Sequence, residues 1–284
     1  MSAGTLYLVS TPIGNLEDVT RRAARVLSEV SRVLAEDTRR TQVLLDHLGV
    51  RVPLVSLHEH NEAERASQVL QWLDAGEDLA LVSDAGTPLI SDPGARVVKA
   101  VAGAGHAVVA LPGPSAVLAA LVSSGLPTER FVFLGFPPRK GGERAELMDR
   151  VAGSAETVVV FESPERLGAL LADLAEACGE ERRVAVAREL TKVHEEIVRG
   201  TLAEAVHYYD GNPPRGEVTV VVAPAEASAA PDTADRAAAR SLAGALMAEG
   251  AKPSQVAREV ARRLGVPRNV AYEIVMTLTP AHDA

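Results

Sequence analysis

Between residues 5 and 111, short apolar runs alternate repeatedly with amphipathic stretches, and no other feature narrows the possible folds as far. Residues 5–10 (TLYLVS), 31–35, 54–57, 79–82 and 107–111 read as strands. Helical spacing follows at 18–30, 38–48, 63–75 and 95–104, and a further helix opens after the Gly/Pro loop at 112–116. Runs that are apolar on both faces, joined through helices, specify a parallel sheet covered on each side. Val, Leu and Ala must fill its core, because aromatic residues make up only 3% of the chain.

The stretch LALVSDAGTPLISDPG, residues 79–94, organises this half. Its apolar run breaks abruptly at Ser83-Asp84-Ala85-Gly86-Thr87-Pro88. A small-residue loop at the carboxyl end of a parallel strand is where open α/β sheets bind ligands. Gly86 permits close approach of the backbone, the prolines stiffen the loop, and Asp84 and Asp92 offer carboxylates to hydroxyl or ammonium groups. A second loop, Pro112-Gly113-Pro114-Ser115-Ala116, exposes backbone amides and a hydroxyl. Glu36-Asp37-Thr38-Arg39-Arg40 concentrates polarity where a strand meets a helix that Asp37 is placed to cap.

Beyond a boundary near residues 113–128 a new series of strands is expected at 131–135, 157–161, 183–187 and 217–222. Between the first two lies the basic loop Pro137-Pro138-Arg139-Lys140-Gly141-Gly142. Residues 224–235 (PAEASAAPDTAD) have the composition of a linker. From 236 to 284 seven basic residues (Arg236, Arg240, Lys252, Arg258, Arg262, Arg263, Arg268) stand against four acidic ones, and three short helices are expected in a layout resembling helix–turn–helix. A helical packing or dimerisation module explains that tail equally well.

Several classes are excluded or disfavoured. Cys178 is the only cysteine, so no intrachain disulfide and no cysteine-based zinc site can form. His58-Glu59-His60 lacks the i, i+4 histidine spacing of a zinc helix, and no metal is expected. Neither GxGxxG after the first strand nor GxxxxGK[ST] occurs, which disfavours ordinary dinucleotide and P-loop enzymes, and GxSxG is absent. No run reaches the roughly 18 apolar residues of a membrane span, and the first residues lack a signal peptide's basic n-region. A cytoplasmic protein with no membrane partner is therefore expected. A net charge of −9 argues against nonspecific coating of nucleic acid, while leaving room for local basic surfaces.

Taken together, VSTPIGNLEDVTRRA, LVSDAGTPLISDPG, ALPGPSAV, FESPERL and GEVTVVV resemble the tetrapyrrole-methylase-like (class III) methyltransferases over about residues 5 to 223. AEDTRRT, SLHEHNE and RELTKVHEE resemble more narrowly the ribosomal RNA small subunit methyltransferase I branch, which 2′-O-methylates a cytidine of 16S rRNA. Enzymes acting on tetrapyrroles carry GxGPGD in the first loop and GDPxxYG in the third. This chain has Thr11-Pro12-Ile13-Gly14-Asn15 and Ser83-Asp84-Ala85-Gly86-Thr87-Pro88 instead, which turns the expectation away from a porphyrinoid substrate.

The tail at 236–284 is read as a small C-terminal helical domain; ahead of it, the resemblance implies two α/β domains of the tetrapyrrole methylase type, residues 1–115 and 116–225. It implies S-adenosylmethionine folded into the cleft between them, 16S rRNA within the small ribosomal subunit as partner, and a homodimer. Asp84, Ala85, Gly86, Thr87, Pro88, Ser115 and Ala116 are the expected cofactor contacts, with Pro12, Phe161, Glu162, Arg188 and Glu217 lining the remainder. A ribose hydroxyl needs in-line placement and a proton acceptor. Glu36 or Asp37 is expected to take the proton and Arg39 to hold a phosphate, with Lys192 and Glu189 closing the site. Arg139, Lys140 and Arg144, with Arg258, Arg262 and Arg263, are the expected RNA contacts. The competing readings are a methylase of a small metabolite or tetrapyrrole, and a nucleic-acid-binding regulator led by the tail.

Overall fold

The computed structural model describes residues 3–225, 233–264, 266 and 268–278. Residues 226–232 of the expected linker, Gly265 and Pro267 of the tail, and 279–284 at its end lie outside the described residues. Backbone contacts divide the chain into two compact units, Met1–Ala119 with Glu189–Glu195, and Ala120–Arg188 with Glu196–Ala284.

The first unit is a parallel sheet of β1 (Thr5–Val9), β2 (Arg32–Ala35), β3 (Leu54–Ser56), β4 (Leu79–Val82) and β5 (Ala107–Leu111) in the order β3-β2-β4-β1-β5. Side-chain alternation sends Val9, Val33, Ala35, Ala80 and Val82 to one face, where they pack on α1 (Arg21–Glu29) and α2 (Thr38–Leu48). Leu6, Leu34, Leu79 and Leu81 face the other way, onto α3 (Glu62–Asp74) and α4 (Ala95–Gly103). Both faces are buried, which is why these strands carry continuous apolar runs. The connection leaving β1 passes over one face and that leaving β4 over the other, so the carboxyl ends of these neighbours flank the sheet's switch point.

The SLHEHNE motif secures this arrangement. The Asn61 side chain accepts from the His58 amide at 2.9 Å and donates to the Ser56 carbonyl at 3.1 Å, which shapes the turn after β3. Glu62 is buried at 7% exposure, and its carboxylate accepts from the amides of Gly94 (3.1 Å) and Arg96 (2.6 Å) at the start of α4. A glutamate on one helix thus caps the next, where glycine supplies no side-chain cap.

The second unit holds a mixed sheet in the order β6-β7-β10-β8-β9, built from β6 (Phe131–Phe133), β7 (Thr157–Glu162), β8 (Arg183–Arg188), β9 (Glu196–Thr201) and β10 (Val218–Val222). Only β6 and β7 are parallel; the other pairs are antiparallel. Helices α6 (Gly142–Ala152), α7 (Pro164–Cys178) and α8 (Leu202–Gly211) contribute Met148, Leu170, Leu174 and Tyr209 to the core over Val158, Val160, Val184, Val186 and Val220. The tail forms α9 (Thr233–Ala248), α10 (Pro253–Leu264) and α11 (Arg268–Leu278), packed around Ala239, Ala243, Val260 and Val275.

Of the arginines expected to meet RNA, Arg144 is a correction. It is buried, donates to Asp173 at 2.6 Å and to the Pro138 carbonyl at 2.9 Å, and so serves packing within the second unit. Arg258 reaches Asp149 at 3.1 Å and fastens α10 to α6, while Arg262 and Arg263 share the Glu259 carboxylate.

Removing the buried cap should cost stability without touching the sheet's carboxyl ends. Glu62→Ala leaves two amides unpaired and is expected to destabilise the chain by about 2 kcal/mol in chemical denaturation. An unchanged midpoint would mean that water replaces the carboxylate.

Candidate functional site

The loops after β1 and β4 are joined by backbone. The Thr11 amide donates to the Gly86 carbonyl at 2.9 Å and the Gly86 amide returns the bond at 3.0 Å. Gly86 holds φ +82°, a conformation that favours glycine, and a Cβ there would press against Ile13. The glycine is thus required by the turn itself. Thr87 donates to the Pro114 carbonyl at 3.2 Å and lies 3.4 Å from the Ser10 hydroxyl, which ties in the third loop. Ser115 opens α5 (Ala116–Ser123), its hydroxyl facing the Leu118 amide at 3.4 Å. Asp84, Ala85, Gly86, Thr87, Pro88, Ser115 and Ala116 therefore stand on loops that share one hydrogen-bond network, and Pro12 joins Asp84 in lining a pocket of about 80 Å³ with Thr11 and Arg40.

Asp84 is engaged with α2. Its carboxylate accepts from the Asp37 amide at 2.9 Å and lies 3.5 Å from Arg40. Asp37 caps α2 by accepting from the Arg39 amide at 2.9 Å, and its carboxylate also meets the Arg39 guanidinium at 2.7 Å. Those bonds hold the Asp37 carboxyl down at about 2, the Arg39 side chain contributing most. Arg39 itself projects outward, with its side chain 89% exposed. Glu36 behaves oppositely: partial burial first, then the Asp84 and Glu59 carboxylates, raise its pKa above the usual carboxylate value. Asp92 is pushed up to about 6, by burial and then by Glu36 and Asp84, against a hydrogen bond from Ser83.

Lys192 and Glu189 form an ion pair at 2.8 Å within the segment that belongs to the first unit. Glu189 and Thr191 hold φ +51° and +65°, a strained pair of left-handed residues of the kind found at functional sites. The Asn15 amide donates to the Thr191 hydroxyl at 3.1 Å, and a Cβ on Gly14 would collide with Lys192 and Thr191. Gly14 and Thr191 escaped the sequence reading as partners. Nothing in local spacing connects residues so far apart.

The second unit separates the remaining expected residues. Phe161 and Glu162 are consecutive in β7 and so point to opposite faces. Phe161 packs against Phe133 and Phe136. Glu162 is buried, accepts from the Ser163 amide at 2.8 Å and pairs with Arg166 at the start of α7. Arg188 meets Glu196 at 3.2 Å, and Glu217 is exposed just before β10. Among the described residues no group of three or more His, Cys, Asp or Glu side chains is placed to hold a metal ion, and no helix is long and apolar enough to cross a membrane.

The Asp92 pKa has a measurable consequence. A carboxyl raised from 3.8 to about 6 binds its proton more tightly in the folded chain, so its contribution to stability is present at low pH and is lost as pH rises towards 6. Asp92→Asn should abolish that decline in a pH series of denaturation midpoints. An identical slope in the variant would contradict the assignment.

The chain matches the family model of tetrapyrrole (corrin/porphyrin) methylases over residues 5–206. It is similar to the ribosomal RNA small subunit methyltransferase I of Synechocystis sp., at 45% identity over 97% of this chain and 98% of that protein. The protein of the same name from Pseudomonas aeruginosa is 44% identical, over 96% and 97%. Among solved structures, cobalt precorrin-4 methyltransferase superposes with a TM-score of 0.60 at 19% identity, covering 77% of this chain and 94% of that one. Uroporphyrin-III C-methyltransferase from Thermus thermophilus, complexed with S-adenosylhomocysteine, gives 0.55 at 22% identity, covering 77% and 97%. With its parallel first sheet, mixed second sheet and helical tail, the chain belongs to the tetrapyrrole methylase family and, within it, groups with the ribosomal RNA small subunit methyltransferase I proteins.

Proposed function

We propose that this chain is an S-adenosylmethionine-dependent methyltransferase of ribosomal RNA, and that its target is the 2′-hydroxyl of a cytidine in 16S rRNA. The observation that carries this reading is 45% identity along nearly the whole chain to a protein named for methylating small-subunit ribosomal RNA. The TPIGN and SDAGTP loops support it against a tetrapyrrole substrate. The finer picture is a cytoplasmic homodimer that meets its target within the small ribosomal subunit.

The first unit's loops fit the cofactor's chemistry. Backbone groups at 85–88 and 114–116, with the hydroxyls of Thr87 and Ser115, suit a ligand bearing adenine, ribose and an amino acid, whose ammonium can meet the nearby carboxylates. The 80 Å³ pocket beside Pro12 and Asp84 is smaller than the about 300 Å³ at which sites for whole small molecules begin, so it takes one part of the cofactor. Bound there, S-adenosylmethionine supplies a methyl group already activated by its sulfonium. In the second unit, Glu162 is paired with Arg166 and Arg188 with Glu196, so a ligand reaching either would meet an ion pair.

The chain's own part is to orient the ribose and accept its proton. Glu36 suits the second task better than Asp37. Its pKa is raised, whereas Asp37 is committed to capping α2 and to Arg39, and with a pKa of about 2 it is a weak base. Arg39, exposed and anchored by Asp37, offers a guanidinium to a phosphate. Lys192, paired with Glu189, extends that role.

Small ribosomal subunits from a strain lacking the protein, incubated with labelled cofactor, should yield 2′-O-methylcytidine on nucleoside analysis. A methylated base, or no transfer, would overturn the proposal. In single turnover, Glu36→Gln should slow transfer about 100-fold while Asp37→Asn stays within about tenfold of wild type. Equal rates in both variants would place the proton acceptor elsewhere.

A further inference from the structure

A cavity of about 410 Å³ in the second unit is bordered by Arg188, Glu196, Tyr208, Tyr209, Asn212 and Arg215. The antiparallel register sets Arg188 opposite Glu196 at the end of the β8–β9 pair. The Glu196 carboxylate accepts from the Tyr208 hydroxyl at 2.8 Å and from Arg188 at 3.2 Å. Tyr208 and Tyr209 stand edge to face with ring centres 5.0 Å apart. Asn212 stops α8 by donating to the Tyr208 carbonyl at 2.8 Å, and Pro213-Pro214 carries the chain out to Arg215.

Two groups here are left with bonding capacity. Tyr209 is only 5% exposed, yet its buried hydroxyl has no hydrogen-bond partner among the described residues. A buried phenol without a partner is costly, and because Tyr209 lines the cavity, a ligand bringing a polar atom to this hydroxyl would relieve that cost. Arg215 is exposed and enters no ion pair or hydrogen bond among the described residues. In a second cavity of this unit both arginines are paired, Arg144 with Asp173 and Arg258 with Asp149.

An aromatic pair, guanidinium groups and a carboxylate acceptor around one hollow match what proteins use for unpaired RNA. Bases rest on aromatic rings and arginine planes, their amino groups meet acceptors, and phosphates meet cations. We propose that this cavity holds one unpaired nucleotide of the RNA substrate, with its base against the half-buried ring of Tyr208, a polar atom of that nucleotide reaching the Tyr209 hydroxyl, and its phosphate on Arg215. The Arg188–Glu196 ion pair, joined by the Tyr208 hydroxyl, forms the rim beside it. The inference rests on the ribosomal RNA reading above and adds a site for the substrate outside the first unit's loops.

The test is fluorescence anisotropy of the full chain with a short single-stranded oligocytidylate, across a salt series. Arg215→Ala should weaken binding about tenfold and lower the salt slope by about one contact. Tyr209→Phe, which removes only the unpartnered hydroxyl and should leave the fold intact, should weaken binding about threefold. Affinity for S-adenosylhomocysteine, read by calorimetry, should stay at the wild-type value in both. Oligocytidylate affinity and salt slope unchanged in both variants would overturn the site. The reaction is judged separately: a wild-type chain that binds oligocytidylate through Arg215 but transfers no methyl group to small subunits would uphold the cavity and reject the proposed chemistry.

Discussion

The two hydrogen bonds exchanged between Thr11 and Gly86 fix the geometry on which the first unit's site depends. They exist because the backbone at Gly86 can take φ +82°, and they lock the loops after β1 and β4 side by side at the switch point of the sheet. Other contacts hang from that clasp. Ser83 and Thr11 exchange side-chain bonds with the same loops, Thr87 reaches Pro114, and Asp84 is left facing the first turn of α2. The ends of five parallel strands are alike in backbone; here the clasp makes two of them into one surface.

That surface gathers carboxylates that repel one another. Asp84 raises the proton affinity of Glu36, Glu36 and Asp84 raise that of Asp92, and helix capping offsets part of the cost by giving Asp84 and Asp37 amides to accept from. The two neighbours in the EDTR motif are thereby driven apart. Asp37 is pulled down by Arg39 and becomes structural, while Glu36 is pushed up and becomes the more basic group. Paired carboxylates whose surroundings separate their pKa values are a recurrent way of dividing structural from chemical work.

Much of the first unit was legible because continuous apolar runs can be satisfied only by a sheet covered twice. All five strands, and the Asp37 cap, stand where the sequence puts them. The second sheet was harder. Strand β9, EIVRGT, has charged residues at two positions and only Gly200 buried, as befits an edge strand, so its signal was too weak to separate from a loop. In the site, local chemistry such as the small-residue loops could be read directly. Long-range pairings could not: Gly14 against Lys192, or Glu62 beneath α4, leave no trace in spacing. The sequence reading also treated Phe161 and Glu162 as one lining, although alternation along a strand separates them. Arg144 looked like surface charge until Asp173 and the Pro138 carbonyl were seen to enclose it.

The clasped loops of the first sheet are the proposed seat of the methyl donor. Amide hydrogen exchange with and without saturating S-adenosylhomocysteine measures this most directly, since bound ligand slows local opening of the segments it contacts. Added protection is expected in peptides covering residues 83–88 and 113–118, with little change across α9 to α11. Strong binding that protects other segments and leaves both loops exchanging as before would contradict it.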